Sequence, residues 1–442
     1  MSSPQLVLPA LLVVTLVAQA LRPGWRLLIV TAGAALSCAV ATLTGTASTT
    51  ALFADVPWDV IVMLVALGLM SQIFVATRVF GMLAVASARR SGGRPRTLVV
   101  LFALVMYGVS GLVNNLTALL LVLPVLLILL RLMAVSQRYV SWTLGIVLVA
   151  CNLGGAATPI GDFPAILLLG RGSMTFPGYL TAAAPPTLLA LLLILAVLAL
   201  VRPERTVQQS AVARRLSLAV VAALYRNTRL DWRLFGPISA LMLAMLVAWM
   251  VVPAQRMGPE LICWLGVGLA LALRPRAGEQ LLRSRVDVEA VLFLLSLFVM
   301  VAAVRRSGLF EQLIRGLEGL PIGAGGQLLV FLLLAGVLTG LFSAGPSMAA
   351  LLDVAESLAQ RVPPTAVYVG LALSVCAGSS LLLTAATSGP MAQILVERAE
   401  LRDPEGARLH FGFLDFLPVG LLCFAVIQTV ALAYALAVLV LA

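Results

Sequence analysis

The segment Cys151-Asn152-Leu153-Gly154-Gly155-Ala156-Ala157-Thr158-Pro159-Ile160-Gly161-Asp162-Phe163-Pro164 places three glycines, two prolines and one carboxylate inside an apolar run. Such a composition does not sit comfortably in one continuous helix. Unwinding there frees backbone carbonyls and amides to hold an ion or an anionic group. Asn152, Gly154, Gly155, Thr158 and Gly161 are candidate binding positions on that ground. Asp162 joins them because an ionisable residue within an apolar run marks a functional site by default. The competing reading is structural: the glycines permit tight helix packing, and Asp162 caps a helix near the outer interface. Three further clusters of small polar residues interrupt apolar runs. They are Asn114, Asn115 and Thr117; Ser343 and Ser347 around Gly345-Pro346; and Gly378, Ser379, Ser380 and Thr384.

Other chemistries find no support. The closest cysteine pair, Cys376 and Cys423, lies 47 positions apart, and no zinc-type spacing exists. Cys151 and Cys376 precede the two small-residue segments, but buried cysteine is usually an apolar filler. His410 is the single histidine, so HExxH and His-rich metal sites are excluded. There is no GxSxG and no nucleotide-binding loop, so no catalytic residue and no cofactor is assigned, and the chain is not expected to be an enzyme. Asp353 and Glu356 lie one helical turn apart, where they share a proton or flank an outer mouth. Asp59 and Glu289 begin two matching apolar runs and read as helix caps.

These residues need elements to position them. Of the 442 residues, 62% are hydrophobic and 11% charged, and the mean hydropathy is +1.10. A soluble protein cannot cover such a chain with polar surface, so the bilayer is its solvent. The expected fold is an all-α polytopic membrane protein with about ten transmembrane helices and two re-entrant hairpins, at ~20 residues per crossing. The hairpins are the runs 97–133 and 325–359. Each is interrupted midway, giving arms of about 13–18 residues, too short to cross. With both hairpins returning to their own side, 23 of the 29 arginines fall on one face and six on the other, Arg171, Arg256, Arg305, Arg306, Arg315 and Arg361. The arginine-rich face is then cytoplasmic and both termini lie outside, in a multi-pass inner-membrane protein. The net charge of +11 follows from this pattern, and no nucleic-acid partner is expected.

The two halves resemble each other. Residues 58–80 align with 288–310 at an offset of 230; Ser110-Gly111-Leu112 falls on Thr339-Gly340-Leu341, and Gly154 to Thr158 on Gly378 to Leu382. The organisation expected is N-terminal spans over 1–50, a first inverted repeat over 51–201 with a cytoplasm-facing hairpin, and a cytoplasmic loop over 202–233. Connecting spans over 234–280 and a second inverted repeat over 281–442, with an outward-facing hairpin, follow. The middle of the loop, 211–225, suits an amphipathic surface helix. Inverted repeats with discontinuous helices are the architecture of many secondary transporters.

GLVNNLTALLLVLP (111–124), NLGGAATPIGDFP (152–164) and GSSLLLTAATSGP (378–390), preceded by WDVIVMLVALGLMSQ (58–72), resemble the ion transporter superfamily. The closest branches are the arsenite-efflux permeases and a class of bacterial sodium/proton antiporters. The resemblance implies a scaffold part, a mobile transport part, one site at the hairpin tips and unwound helices, and a homodimer. Those branches usually carry an Asp-Asn pair at each tip; here Asn114-Asn115 and Ser343-Ala344 stand instead. An amide or hydroxyl cannot supply the charge or proton a carboxylate would. The expectation is a secondary transporter of a small ion or oxyacid, anion or metalloid, coupled to a proton or sodium gradient. The alternatives are a sodium/proton antiporter and a transport-inactive scaffold or sensor.

Overall fold

A computed structural model describes residues 3–133, 135–203, 215–216, 218–220, 223, 230–252, 256–284, 286–386 and 388–441. Most of the loop segment 211–225 lies outside the described residues. The first half comprises α1 (Ser3–Leu21), α2 (Arg26–Leu43), α3 (Thr49–Ala54), α4 (Trp58–Ala76), α5 (Val79–Arg90), α6 (Pro95–Ser110), α7 (Asn115–Met133), α8 (Gln137–Ala157), α9 (Phe163–Gly170) and α10 (Phe176–Val201). The second comprises α11 (Trp232–Val251), α12 (Pro259–Ala272), α13 (Pro275–Ser284), α14 (Val288–Arg306), α15 (Leu309–Glu318), α16 (Ala324–Phe342), α17 (Ala344–Leu358), α18 (Pro364–Ser379), α19 (Gly389–Ala399) and α20 (Phe413–Leu441). The only sheet-like pairing among the described residues is an isolated bridge between Arg402 and Arg408.

The protein is a polytopic all-α membrane protein. Nine helices among the described residues are long and apolar enough to cross a bilayer. Two of these, Asn115–Met133 and Ala324–Phe342, belong to the interrupted runs. Each has 19 residues, longer than the 13–18 expected of a hairpin arm. Length therefore does not decide whether they cross; the positions of their ends do. Tyr139 at the start of α8 donates to the Pro95 carbonyl at the start of α6, at 2.8 Å. So α6 enters and α7 leaves at the same end of the molecule. Likewise Glu318 accepts from Gln327 at the start of α16 through its backbone carbonyl, and from Arg361 just after α17 through its carboxylate. Both pairs are antiparallel hairpins.

Among the helices named above, element order recurs, α1–α10 matching α11–α20. Cross-half packing follows the same exchange. The α2–α14 contact is mirrored by α12–α4, and α9–α17 by α19–α7, while α8 meets α18 and α10 meets α20. A matching detail is the turn into α5 and α15. Arg78 and Gly308 occupy equivalent positions, and both take the left-handed conformation, φ 64° and 81°. Several helix starts are fixed by side chains that accept an otherwise unpaired amide: Ser136 for α8, Thr175 for α10, Asp231 for α11 and Asp287 for α14. Asp59 and Glu289 sit one position inside their helices, in the first turn, where the helix dipole favours a carboxylate.

Candidate functional site

The first-half interruption follows proline chemistry more closely than glycine content. In the first half, Gly154 and Gly155 stay helical, and α8 ends at Ala157. Thr158, which precedes Pro159, is extended at φ −133° and ψ 150°, and the break runs to Asp162. In the second half, α18 continues through Gly378 to Ser379, and α19 begins at Gly389. The glycines instead allow close approach. A methyl group on Gly154 would overlap the Tyr107 carbonyl of α6, and one on Gly378 would overlap the Gly336 carbonyl of α16. Gly161 lies equally close to the Ser110 carbonyl. Gly154 and Gly161 thus sit in the close packing that the structural reading expects, and Gly378 packs in the same way.

Polar groups gather around the breaks. Asn115, the first residue of α7, is buried against Gly155, with the Asp162 carboxylate close by. The Ser110 hydroxyl faces both the Asn115 side-chain carbonyl and the Cys151 carbonyl, the latter at 2.7 Å. Thr158 donates to the Gly111 carbonyl at 2.6 Å, tying the α8 break to the first hairpin tip. Tyr179 donates to the Ala156 carbonyl at 2.8 Å, satisfying one of the acceptors that the end of α8 leaves open. Asp162 caps α9 by accepting from the Phe163 amide at 2.9 Å.

The halves meet beside their breaks. Asn152 of α8 donates to the Ser379 carbonyl at 3.3 Å and to the Ser380 hydroxyl at 3.2 Å. Ser379 and Ser380 in turn donate to the Cys376 carbonyl, each at 2.9 Å. The second hairpin tip approaches the first-half break through Gly345. A Cβ built there would lie 3.6 Å from the Phe163 ring. That tip turns on a single residue, Ser343, held at φ 81°, a conformation costly for a non-glycine residue. Ser347, one turn into α17, is buried with no partner for its hydroxyl.

Two candidate residues stay apart from this buried cluster. Asn114 is exposed, and its side chain accepts from the Leu116 amide as a local cap. Thr384 is also exposed. Thr117 is partly buried one turn into α7.

Ser110 and Ser388 were not singled out from the sequence. Ser388 precedes α19 as Asp162 precedes α9, and its hydroxyl is buried and unpartnered. Aligning the two half-helices shows this pairing of carboxylate and hydroxyl; neither residue alone gives a signal. Asp162 is the one charged residue in the segments 110–117, 152–163, 343–347 and 376–388.

Comparison with known proteins places these features in a family. The model of the CitMHS citrate transporters matches residues 10–366 and 255–441. An uncharacterized transporter of Mycobacterium tuberculosis is 28% identical over 342 residues, 76% of this chain and 77% of its own length. The magnetosome protein MamN of Magnetospirillum gryphiswaldense is 27% identical over 419 residues, 92% of this chain and 93% of its own. A sodium/proton antiporter of Arabidopsis thaliana is 24% identical over 51% of this chain and 38% of its own length.

Proposed function

Because the chain belongs to the CitMHS citrate transporter family, we propose that it is a secondary active transporter of a small ion or oxyacid, driven by a proton or sodium gradient. The observation that carries the reading is the Asn152–Ser379/Ser380 junction, where interrupted helices of both halves join beside the first hairpin tip. Discontinuous helices from two repeats meeting in this way form the sites of many secondary transporters. Asn115, Thr158, Ser347, Ser379 and Ser380 supply hydrogen bonds, and Asp162 supplies the charge.

The repeats are inverted in this reading, with the arginine-rich face cytoplasmic and both termini outside. Pairings between distant chain positions support it. Arg306 meets Asp55, Gly325 approaches Leu439, and Gln137 bonds the His410 backbone, each pair joining residues assigned to one face. Residues 94 and 138 then flank the first hairpin on the cytoplasmic side. The functional unit is a homodimer, as the family resemblance implies.

A second reading, a sodium/proton antiporter, is favoured by Asp162 as the one charge in the site segments. Purified protein in proteoliposomes decides between them. Anions, metalloids and sodium are offered under imposed proton or sodium gradients. Solute accumulation that collapses with the gradient supports the first reading. Sodium–proton exchange alone supports the second. No gradient-dependent movement, and no thermal stabilisation by any solute, would leave a scaffold or sensor.

A further inference from the structure

The second hairpin carries charges that the first lacks. Asp353 on α17 accepts from Arg305 at the end of α14 through both carboxylate oxygens, with Arg305 Nε at 2.8 Å from Oδ2. Arg171, which follows α9, brings a guanidinium nitrogen to 3.7 Å from Asp353 and 3.9 Å from Glu356. The Asp353 side chain is only 13% exposed, so water screens these contacts weakly. One turn beyond α17, Arg361 pairs with Glu318 of α15. Three elements, α14, α9 and the outer arm of the hairpin, are thus joined through one carboxylate.

The first half packs equivalent elements without any of this. At the repeat offsets of 230 and 229, Arg305 falls on Val75, Asp353 on Pro124 and Glu356 on Leu127. Apolar residues therefore suffice for the packing itself. Burying an ion pair where apolar residues would pack is weak evidence for stability, and a switch role is among its best-attested uses. The arrangement also suits release. Arg171 makes no hydrogen bond to either carboxylate at these distances, and its Nε is buried without a partner. Its backbone ends α9, an eight-residue helix whose other end is capped by Asp162 of the candidate site. At 1.5 Å per residue that helix is a strut of ~12 Å between the site and the ion pairs.

We propose that Asp353 is the centre of an ionic latch that ties the second hairpin to α14 and, through Arg171, to α9, and that the candidate site opens toward the arginine-poor face only when this latch releases. Val75, Pro124 and Leu127, at the equivalent positions of the first half, cannot form this latch, so it biases the protein toward closure on one side. The proposal rests on the paired breaks forming one site, and its test reads access to that site and not transport.

A reporter cysteine at Gly345 suits the test, because a Cβ there meets only ordinary contacts, 3.6 Å or more away. The full-length chain carries Gly345→Cys with the five native cysteines changed to alanine. A membrane-impermeant thiol reagent is added from the side of Arg305 and Arg361. The expected result is labelling roughly tenfold faster in Asp353→Asn, as when ~1.4 kcal/mol of closure is lost. Should Asp353→Asn fail to fold because Arg305 is left unpaired, Arg305→Gln with Asp353→Asn removes both charges and should also label faster. Asp55→Asn, which breaks the nearby Arg306 pair without touching the hairpin, should label at the parent rate. A folded double variant that labels no faster than the parent overturns the latch. So does equal acceleration by Asp55→Asn, which would mark general loosening.

Discussion

At the scale of single residues, charge is concentrated at one point of the candidate site. Asp162 caps α9 and lies close to Asn115, while Ser388 holds the equivalent position in the second half. Asp162→Asn keeps the shape and much of the cap but removes the charge and the protonatable group. Gradient-driven accumulation should be lost, with downhill exchange partly retained; unchanged gradient dependence in flux assays would exclude Asp162 from coupling. Asp231, outside the spans, offers a contrast. Its hydrogen bond from Arg274 holds its carboxyl below the usual carboxylate range. A depressed pKa contributes stability above the unfolded value, lost as pH falls through the folded one. Asp231→Asn should therefore lower the melting temperature slightly near neutrality, and the difference from the parent should vanish as pH falls below about pH 4. The carboxylate in an apolar run was legible in the sequence, because ionisable groups are costly there. The Asn152–Ser380 bond was not: it joins residues 228 apart, and neither local spacing nor composition reports such a contact.

At the scale of elements, glycine and proline act separately. The prolines end α8 and start α9, as the sequence led one to expect, but the break begins after Gly154 and Gly155, not at them. Composition shows that a helix fails nearby. It cannot show which glycine is kept for a neighbouring backbone, because that depends on a helix more than forty residues away. Gly154→Ala should force apart α8 and α6 at the Tyr107 carbonyl and destabilise the protein by about 1–3 kcal/mol. Gly108→Ala on α6 has open space around it and should be neutral or stabilising by up to ~1 kcal/mol. Thermal unfolding in detergent measures both; equal melting temperatures for the two variants would contradict the close approach. The hairpins were legible as interrupted apolar runs. Their arms were not short enough for length alone to establish them, with 19 residues in α7 and α16.

At the scale of the whole molecule, the protein belongs to the citrate transporter family, and the order of the named helices recurs from one half to the other. Composition and the length of the apolar runs made the polytopic fold legible, since both follow directly from the bilayer. The matching of α1–α3 with α11–α13 was not, because those segments share element order without matching residues. With the inverted arrangement, cysteines placed at Arg94 and Arg138 should both be labelled from the cytoplasmic side. Opposite sidedness would remove the first hairpin and the inversion with it. The central claim, one site built jointly by both halves, is tested most directly by the apparent affinity for the transported solute in Asn152→Ala, Ser380→Ala and the double variant. The two side chains share one hydrogen bond at the junction, so each single substitution should weaken affinity and the double should be little worse than either. Unchanged affinity in all three, or losses that simply add, would contradict it.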